Sequence, residues 1–463
     1  MAKAKKLNTA DVEININALD YDSAKYIDRS SLDYAISTLD RAIPGIDGLK
    51  ASQRKAIFTM SKISGEIKTI SAAGRMISDG IYLHGDAPAA DTLANLVSPV
   101  VRNLPLLGGR GGFGTPVNPE PASPRYTYVK RSKATDTLLL PDSDIVPMMD
   151  NYDGSTKEPR FFLPLIPIVL LGANGISTGY RSRFLPRKIE EIIDNCIRAL
   201  DGKTLQEMVP DFSCTASNTR VDVLGDNKFI SYGIVEIIDT STVRVTGLPT
   251  DLGLEAFAER LIKMQEEGTI RDYDDASSAT VNILIKLPRG TANGWTDDDA
   301  FAYLGLDSKL TEYLNMLSVN NKIKTYESIS EVVQSYVEHR IKYYTKRYQH
   351  LLTQAEKRLA YQLLQDACYK ADMISKVKNF ESRSELQKFI EELNTTIQAT
   401  PEDVNNIVQF ATYRWTKEGE NKLQEDLNDN VNKINEYLDL LDNPDKIKSI
   451  YRSELVALKK VKF

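Results

Sequence analysis

The 463-residue chain is poor in cysteine, histidine and long apolar runs. Its three cysteines, Cys196, Cys214 and Cys368, lie far apart and match no metal-ligand spacing. That excludes a disulfide scaffold and a structural zinc, and points to a reducing compartment with the cytoplasm as the expected address. No uninterrupted apolar stretch is long enough to span a bilayer, and the start, MAKAKKLNTADVEI, lacks the apolar segment of a signal peptide, so no membrane is expected. Only His84 precedes position 339, so any imidazole chemistry in the first two thirds must use it. The glycine-rich stretch Leu106–Thr115 lacks the Gly-Lys-Ser/Thr ending of a phosphate loop, which excludes ATP binding there.

What is present is a soluble, globular balance, 42% apolar and 26% charged, in a chain long enough for two to four structural units. Net charge is −6, which argues against nucleic acid until its distribution is considered. Residues 1–189 hold 24 lysines and arginines against 19 acidic residues, and residues 190–463 hold 34 against 45. Between Arg41 and Lys133 the balance is 13 to 6, a local basic excess able to meet a phosphate backbone. Charge alone leaves an ordinary solvated surface equally open.

Residues 1–29 are polar with few apolar anchors and are expected to form an arm or a partner-docking strand. Leu32, Ala35, Ile36 and Leu39 have helical spacing. Pro44 to Gly48 is a turn, followed by a helix through Arg54, Ile57 and Met60. Ala72–Ile81 and Asp86–Leu96 read as two short helices around Tyr82-Leu83-His84-Gly85, a helix-turn-helix pattern whose second helix offers backbone N–H groups at His84-Gly85-Asp86. Tyr126–Val129 is expected to be a short strand and Gly172–Ile176 a turn. Strands are expected at Val221–Leu224, Gly233–Ile238, Val243–Val245 and Val281–Ile285, with a helix at Leu254–Glu267, making an α/β unit. Asp272–Asp275 reads as a loop, and Asp297–Asp299 as a helix N-terminus rather than a metal site. Apolar positions from Ile329 to Leu363, and from Leu423 to Leu441, recur at helical spacing. They fit an antiparallel coiled coil with a globular knot between its arms, or two helices of a compact bundle.

Arg125-Tyr126-Thr127 carries the chemistry. A phenol beside a guanidinium can attack a phosphodiester, although a surface strand with an amphipathic tyrosine would read the same. Its neighbours narrow the choice. Arg41-Ala42-Ile43-Pro44, Asp47-Gly48-Leu49-Lys50, Gln53-Arg54-Lys55, His84-Gly85-Asp86 and Gly111-Gly112-Phe113-Gly114 precede it, and Asn151-Tyr152-Asp153-Gly154 and Asn174-Gly175-Ile176-Ser177-Thr178-Gly179 follow. This ordered set resembles the breakage–reunion subunit of type II DNA topoisomerases (the gyrase A and topoisomerase IV A group) over roughly residues 30–455. Its short C-terminal end is most similar to the medium subunit of bacteriophage enzymes.

The resemblance implies an α+β multidomain fold. Residues 1–40 would be an arm and first helix, 41–135 a winged-helix DNA-binding domain, 136–325 an α/β tower, and 326–463 a long antiparallel coiled coil with a C-terminal dimerisation gate. Tyr126 would be the nucleophile, with Arg125, Arg41 and His84 around the scissile phosphate. Lys50, Arg54, Lys55 and Arg110 would contact the DNA backbone, and Ile176 would wedge between bases. The resemblance further implies a homodimer acting on double-stranded DNA. Its partner would be a large subunit whose Toprim domain holds Mg2+ and whose ATPase domain binds ATP; no metal is expected on this chain. Tyr82 stands where the family often has a second histidine, and Arg110-Gly111-Gly112 replaces its usual Gln-Gly-Asn.

Overall fold

In a computed structural model the chain is described over residues 23–214 and 219–463. The arm expected at the N-terminus therefore lies outside the described residues as far as residue 22.

Helix α1 (Ser23–Ala42) begins earlier than the apolar spacing suggests and stops before Pro44. The turn after it is fixed from below. Gly48 has φ +72, and a Cβ there would lie 2.5 Å from the backbone nitrogen of Val169, so only glycine fits. Buried Asp47 organises the same turn. Its carboxylate accepts from Arg54 Nε at 2.7 Å and Nη2 at 2.9 Å, from the Leu49 amide at 3.2 Å and from the Phe162 amide at 2.9 Å. Helices α2 (Ala51–Ser61), α3 (Thr69–Ser78) and α4 (Asp86–Val97) then pack on one another. Small buried residues, Ala56, Ala72, Ala73, Ala89 and Ala90, let their axes approach around Ile57, Met60, Met76 and Leu93. A three-stranded antiparallel sheet covers this trio. Its strands are β1 (Ile67–Lys68), β2 (Leu107–Arg110) and β3 (Tyr128–Arg131), in the order β1-β3-β2.

Two expectations shift here. The strand expected at Tyr126–Val129 begins at Tyr128, because Tyr126 sits in a turn closed by its amide on the Ser123 carbonyl at 2.9 Å. Gly172–Ile176 is no turn but leads into a hairpin, Ala173–Ser177 paired with Tyr180–Phe184, whose tip is Thr178-Gly179 with Gly179 at φ +76. The apolar run before it, from Phe161 to Leu171, lies in the main core.

The middle of the chain builds two more sheets. Ile234–Asp239, Thr242–Gly247, Ile283–Lys286 and Asp272–Asp275 form one in that order, and Asp307–Thr311, Lys228–Tyr232 and Val221–Gly225 the other. The helix Leu254–Glu266 buries Phe257 and Leu261 against Val243, Val245, Ile283 and Ile285, a core separate from the first. Asp272–Asp275 is a correction: it is an edge strand, paired Asp272 to Lys286 and Tyr273 to Ile285. Exposed acids on an edge discourage pairing with another chain. Asp297–Leu304 is a helix as expected, capped by Thr296, whose hydroxyl accepts the Asp299 amide at 3.4 Å.

The helix Ile329–Lys370 runs 42 residues, seven beyond Leu363, and is about 63 Å long at ~1.5 Å per residue. Its partner is Lys417–Asp442. Gln424 meets Asp366, Asn430 meets Gln362 and Ala355, and Tyr437 meets Tyr348, so the two run antiparallel. Buried Asn430 donates to both its partners, a polar contact that selects one register. Between the arms a small cluster forms around Leu364, Cys368, Met373, Ile390, Val404 and Ile407. After Pro444 the chain turns back. The helix Pro444–Leu458 places Ile447, Tyr451, Leu455 and Leu458 in the main core, with the Tyr451 hydroxyl donating to the Leu165 carbonyl at 2.7 Å.

Candidate cleavage site and nucleic-acid interface

Tyr126 is 70% exposed, and among the described residues its phenol has no hydrogen-bond partner. Its backbone is held firmly. On one side the Pro124 carbonyl accepts the Ile70 amide at 3.2 Å. On the other the Thr127 carbonyl accepts the Thr69 amide at 3.0 Å, and the buried Thr127 and Thr69 hydroxyls lie 2.8 Å apart. A free phenol thus stands on a turn clamped to the start of α3. The glycine-rich stretch completes the support. A Cβ on Gly109 would meet the Tyr128 carbonyl at 2.6 Å, and one on Gly111, at φ +120, would meet the Thr127 side chain at 3.1 Å. These glycines let one strand lie close against the tyrosine segment.

Arg125 is exposed, its guanidinium 6.0 Å from the Tyr126 ring centroid, at the limit of cation–π range. Arg110 stacks over Tyr128 at 4.2 Å and pairs with Glu66 at 2.8 Å. That pair is solvent-exposed, so an incoming phosphate displaces it at little cost. His84 is exposed before α4 and rests edge-on against Tyr82, ring centroids 5.3 Å apart. Tyr82 is only 8% exposed and serves as a platform for the imidazole. Helix α4 has Gly85 at its N-cap with no side-chain cap, though Asp86 Oδ1 accepts the Ala87 amide at 3.0 Å.

A second group stands at the end of α1. Arg41 is exposed in its last turn, its Nε donating to the Ser37 carbonyl at 3.2 Å. A Cβ on Gly175 would lie 2.2 Å from the Ala42 carbonyl oxygen, so the Ala173–Phe184 hairpin presses against this helix end. That hairpin carries Ile176, 76% exposed. Lys50 Nζ reaches Asn174 Oδ1 on the same hairpin at 3.5 Å. Burial, and then the charge of Arg102, push the Lys50 ammonium below the usual lysine range.

Tyr126 with Arg125, and Arg41 with Lys50 and Ile176, are thus two groups. Among the described residues no hydrogen bond, ion pair or ring contact joins Tyr126 to His84 or Arg41. Arg54 and Lys55 are engaged within the fold. Arg54 is 9% exposed and committed to Asp47 and the Leu49 carbonyl, while Lys55 Nζ binds the Ile81 carbonyl and Glu158, each at 2.8 Å. Asp47, in the turn before α2, and Glu158 hold the two cations, so both help brace the fold.

Two residues with no assigned role also hold this region. Asn151 is buried and donates to the Gly80 carbonyl at 2.7 Å, tying its loop to the end of α3, a contact that nothing in its motif signals. Arg102 is buried on the segment after α4 and had no sequence signal.

The charged donor beside Tyr126 is the Arg125 guanidinium, whereas Mg2+ takes oxygen ligands. Among the described residues no three histidine, cysteine or acidic side chains are grouped to hold a metal. The site does not fit a resident metal of its own. Among the same residues no helix is long and apolar enough to cross a membrane.

A clamped, exposed tyrosine on a three-helix, three-strand unit, joined through sheets to a long antiparallel helix pair, defines a mixed α/β class with solved counterparts. The chain belongs to the family of DNA gyrase/topoisomerase IV A subunits, whose model matches residues 41–456. It is 30% identical over 343 residues to DNA topoisomerase 2-alpha of Gallus gallus and 28% identical over 344 residues to that of Homo sapiens. Each match covers 71% of this chain and 22% of the relative, so the chain spans about a fifth of their length. Its fold is similar to the DNA-binding, cleavage and re-ligation domain of Plasmodium falciparum topoisomerase II, with a TM-score of 0.83 at 21% identity, covering 94% of this chain and 64% of that one.

Proposed function

We propose that this chain is the cleavage and religation subunit of an ATP-dependent type IIA DNA topoisomerase. The observation that carries the reading is Tyr126: an exposed phenol on a clamped turn, beside the exposed Arg125, in the gyrase/topoisomerase IV A-subunit family. An ordinary phenol is protonated at neutral pH, so it needs help to become a nucleophile. The Arg125 cation favours the developing phenolate. The phenol oxygen attacks a backbone phosphorus, a new P–O bond forms to Tyr126, and the bond to the 3′ oxygen breaks. That oxygen takes up a proton and leaves as a 3′-hydroxyl; the other end stays on the protein as a 5′-phosphotyrosine. The exchange conserves one phosphodiester, so resealing is the same step reversed. Arg125, and Arg41 and His84 brought in on the duplex, stabilise the charge that gathers on the phosphorus oxygens.

In this reading residues 41–135 act as a winged-helix domain, 136–325 as a tower, and 326–463 as a coiled coil with a dimerisation gate. Two copies cut opposite strands of double-stranded DNA. Mg2+ and ATP would be held by a large partner subunit with Toprim and ATPase domains, and strand passage would then relax, decatenate or unknot DNA. The assembly would work in the cytoplasm, that of the host if the chain is phage-encoded. The polarity of the break tests this. Reconstituted complex should give paired staggered cuts with protein on the 5′ ends and free 3′ ends that a polymerase extends. Single nicks with 3′ attachment would instead place the chain with the tyrosine recombinases.

Lys50 and Arg110 would contact the DNA backbone without reading sequence, and Ile176 would insert between bases. Ile176→Ala removes about 2 kcal/mol of apolar contact, which should weaken binding of bent duplex roughly thirtyfold. Energy transfer between dyes at the duplex ends reads the bend, and unchanged bending with Ile176→Ala would rule out the wedge.

A further inference from the structure

A cavity of about 180 Å³ lies between the start of α2, the segment after α4 and the base of the Ala173–Phe184 hairpin. Its described wall holds three cations, Lys50, Arg102 and Arg183, and no carboxylate. Arg183 is answered from outside by Asp251 at 2.6 Å. Arg102 is not. It is only 3% exposed, its Nη2 donates to the neutral Gln53 Oε1 at 3.2 Å, and among the described residues its buried Nη1 has no partner. With no counter-charge, burial pulls its guanidinium down to about 10. Lys50 Nζ and Asn174 Oδ1 stand at the exposed mouth. Gln53 Oε1 also accepts the Lys50 amide at 3.1 Å, so the positive end of α2 points the same way.

A buried charge without a partner is strongly destabilising, and a ligand of opposite charge relieves that cost. We propose that this cavity is an oxyanion site that takes one phosphate group between Arg102 and Lys50. Two sources share that chemistry. One is a backbone phosphate of a duplex laid across the Ile176 hairpin, which rests on the function proposed above. The other is free inorganic phosphate.

Calorimetry of the full chain in phosphate and in chloride at matched ionic strength tests the site. Wild-type protein should show a saturable rise in unfolding midpoint in phosphate alone, and Arg102→Met should lose it. In parallel, the salt dependence of duplex binding should flatten in Arg102→Met, its log–log slope falling by about 0.9 for one lost phosphate contact. A midpoint rise with an unchanged slope assigns free phosphate. A flattened slope, with or without the rise, assigns the duplex. If neither readout separates wild type from Arg102→Met, the site does not exist. Should Arg102→Met fail to fold, Lys50→Gln carries both readouts. Tyr126→Phe should leave both unchanged, so a failure of the cleavage reading is distinguishable from a failure of this one.

Discussion

Tyr126→Phe, assembled with its partner subunit, should form no detergent-trapped protein–DNA adduct while folding and binding DNA as the wild type does. In the proposed mechanism the phenol oxygen is the atom that becomes covalently attached. The loss should be at least on the order of a thousandfold, as when an essential nucleophile is removed from other enzymes. Stability is expected to stay within about 0.5 kcal/mol, since the hydroxyl is exposed and unpaired. That separation makes the variant informative. A variant that still traps adducts would move the nucleophile elsewhere, whereas one that also fails to fold would mean Tyr126 is structural, against its exposure and free hydroxyl.

Asp47→Ala should have the opposite character, a large effect on stability from a residue remote from chemistry. The substitution removes the acceptor of four hydrogen bonds and strands Arg54, a guanidinium held in the core by that carboxylate. Breaking a buried pair from one side costs about 3–5 kcal/mol. For a unit of this size that is roughly 10 °C in its unfolding midpoint. The turn from Pro44 to Lys50 should loosen with it, so DNA binding through Lys50 weakens as well. Replacing Asp47 and Arg54 together by apolar residues should recover much of the loss, because the desolvated charge disappears with its partner. A midpoint within about 2 °C of wild type in the single variant would show that the pair does not brace the unit.

The sequence made parts of this legible and hid others for physical reasons. Helical spacing located α2 to α4 and both arms of the antiparallel pair, because apolar faces at that period have few other uses. The alternating strands around Val243 and Ile283 were equally readable. Asp272–Asp275 was not, since three acids in four residues oppose strand propensity and only the pairing of Tyr273 with Ile285 makes it an edge. Tyr126 and Arg125 stand out through their motif, and both are exposed. Arg54 and Lys55 read as DNA contacts because a basic pair on a helix carries no mark of direction. What holds them is Asp47, seven residues before Arg54, and Glu158, roughly a hundred residues beyond Lys55. Arg102 left no trace at all: an isolated arginine acquires meaning only when its cavity is seen to contain no acid. The return of Pro444–Leu458 to the main core was likewise hidden, since its apolar spacing fits any helix partner.

The most direct measurement is peptide mapping of a trapped adduct from the reconstituted complex. Digestion and mass spectrometry should place a 5′-phosphorylated nucleotide on the peptide containing Arg125-Tyr126-Thr127, at the Tyr126 oxygen. A nucleotide found on any other side chain, or joined through a 3′ phosphate, would contradict the account.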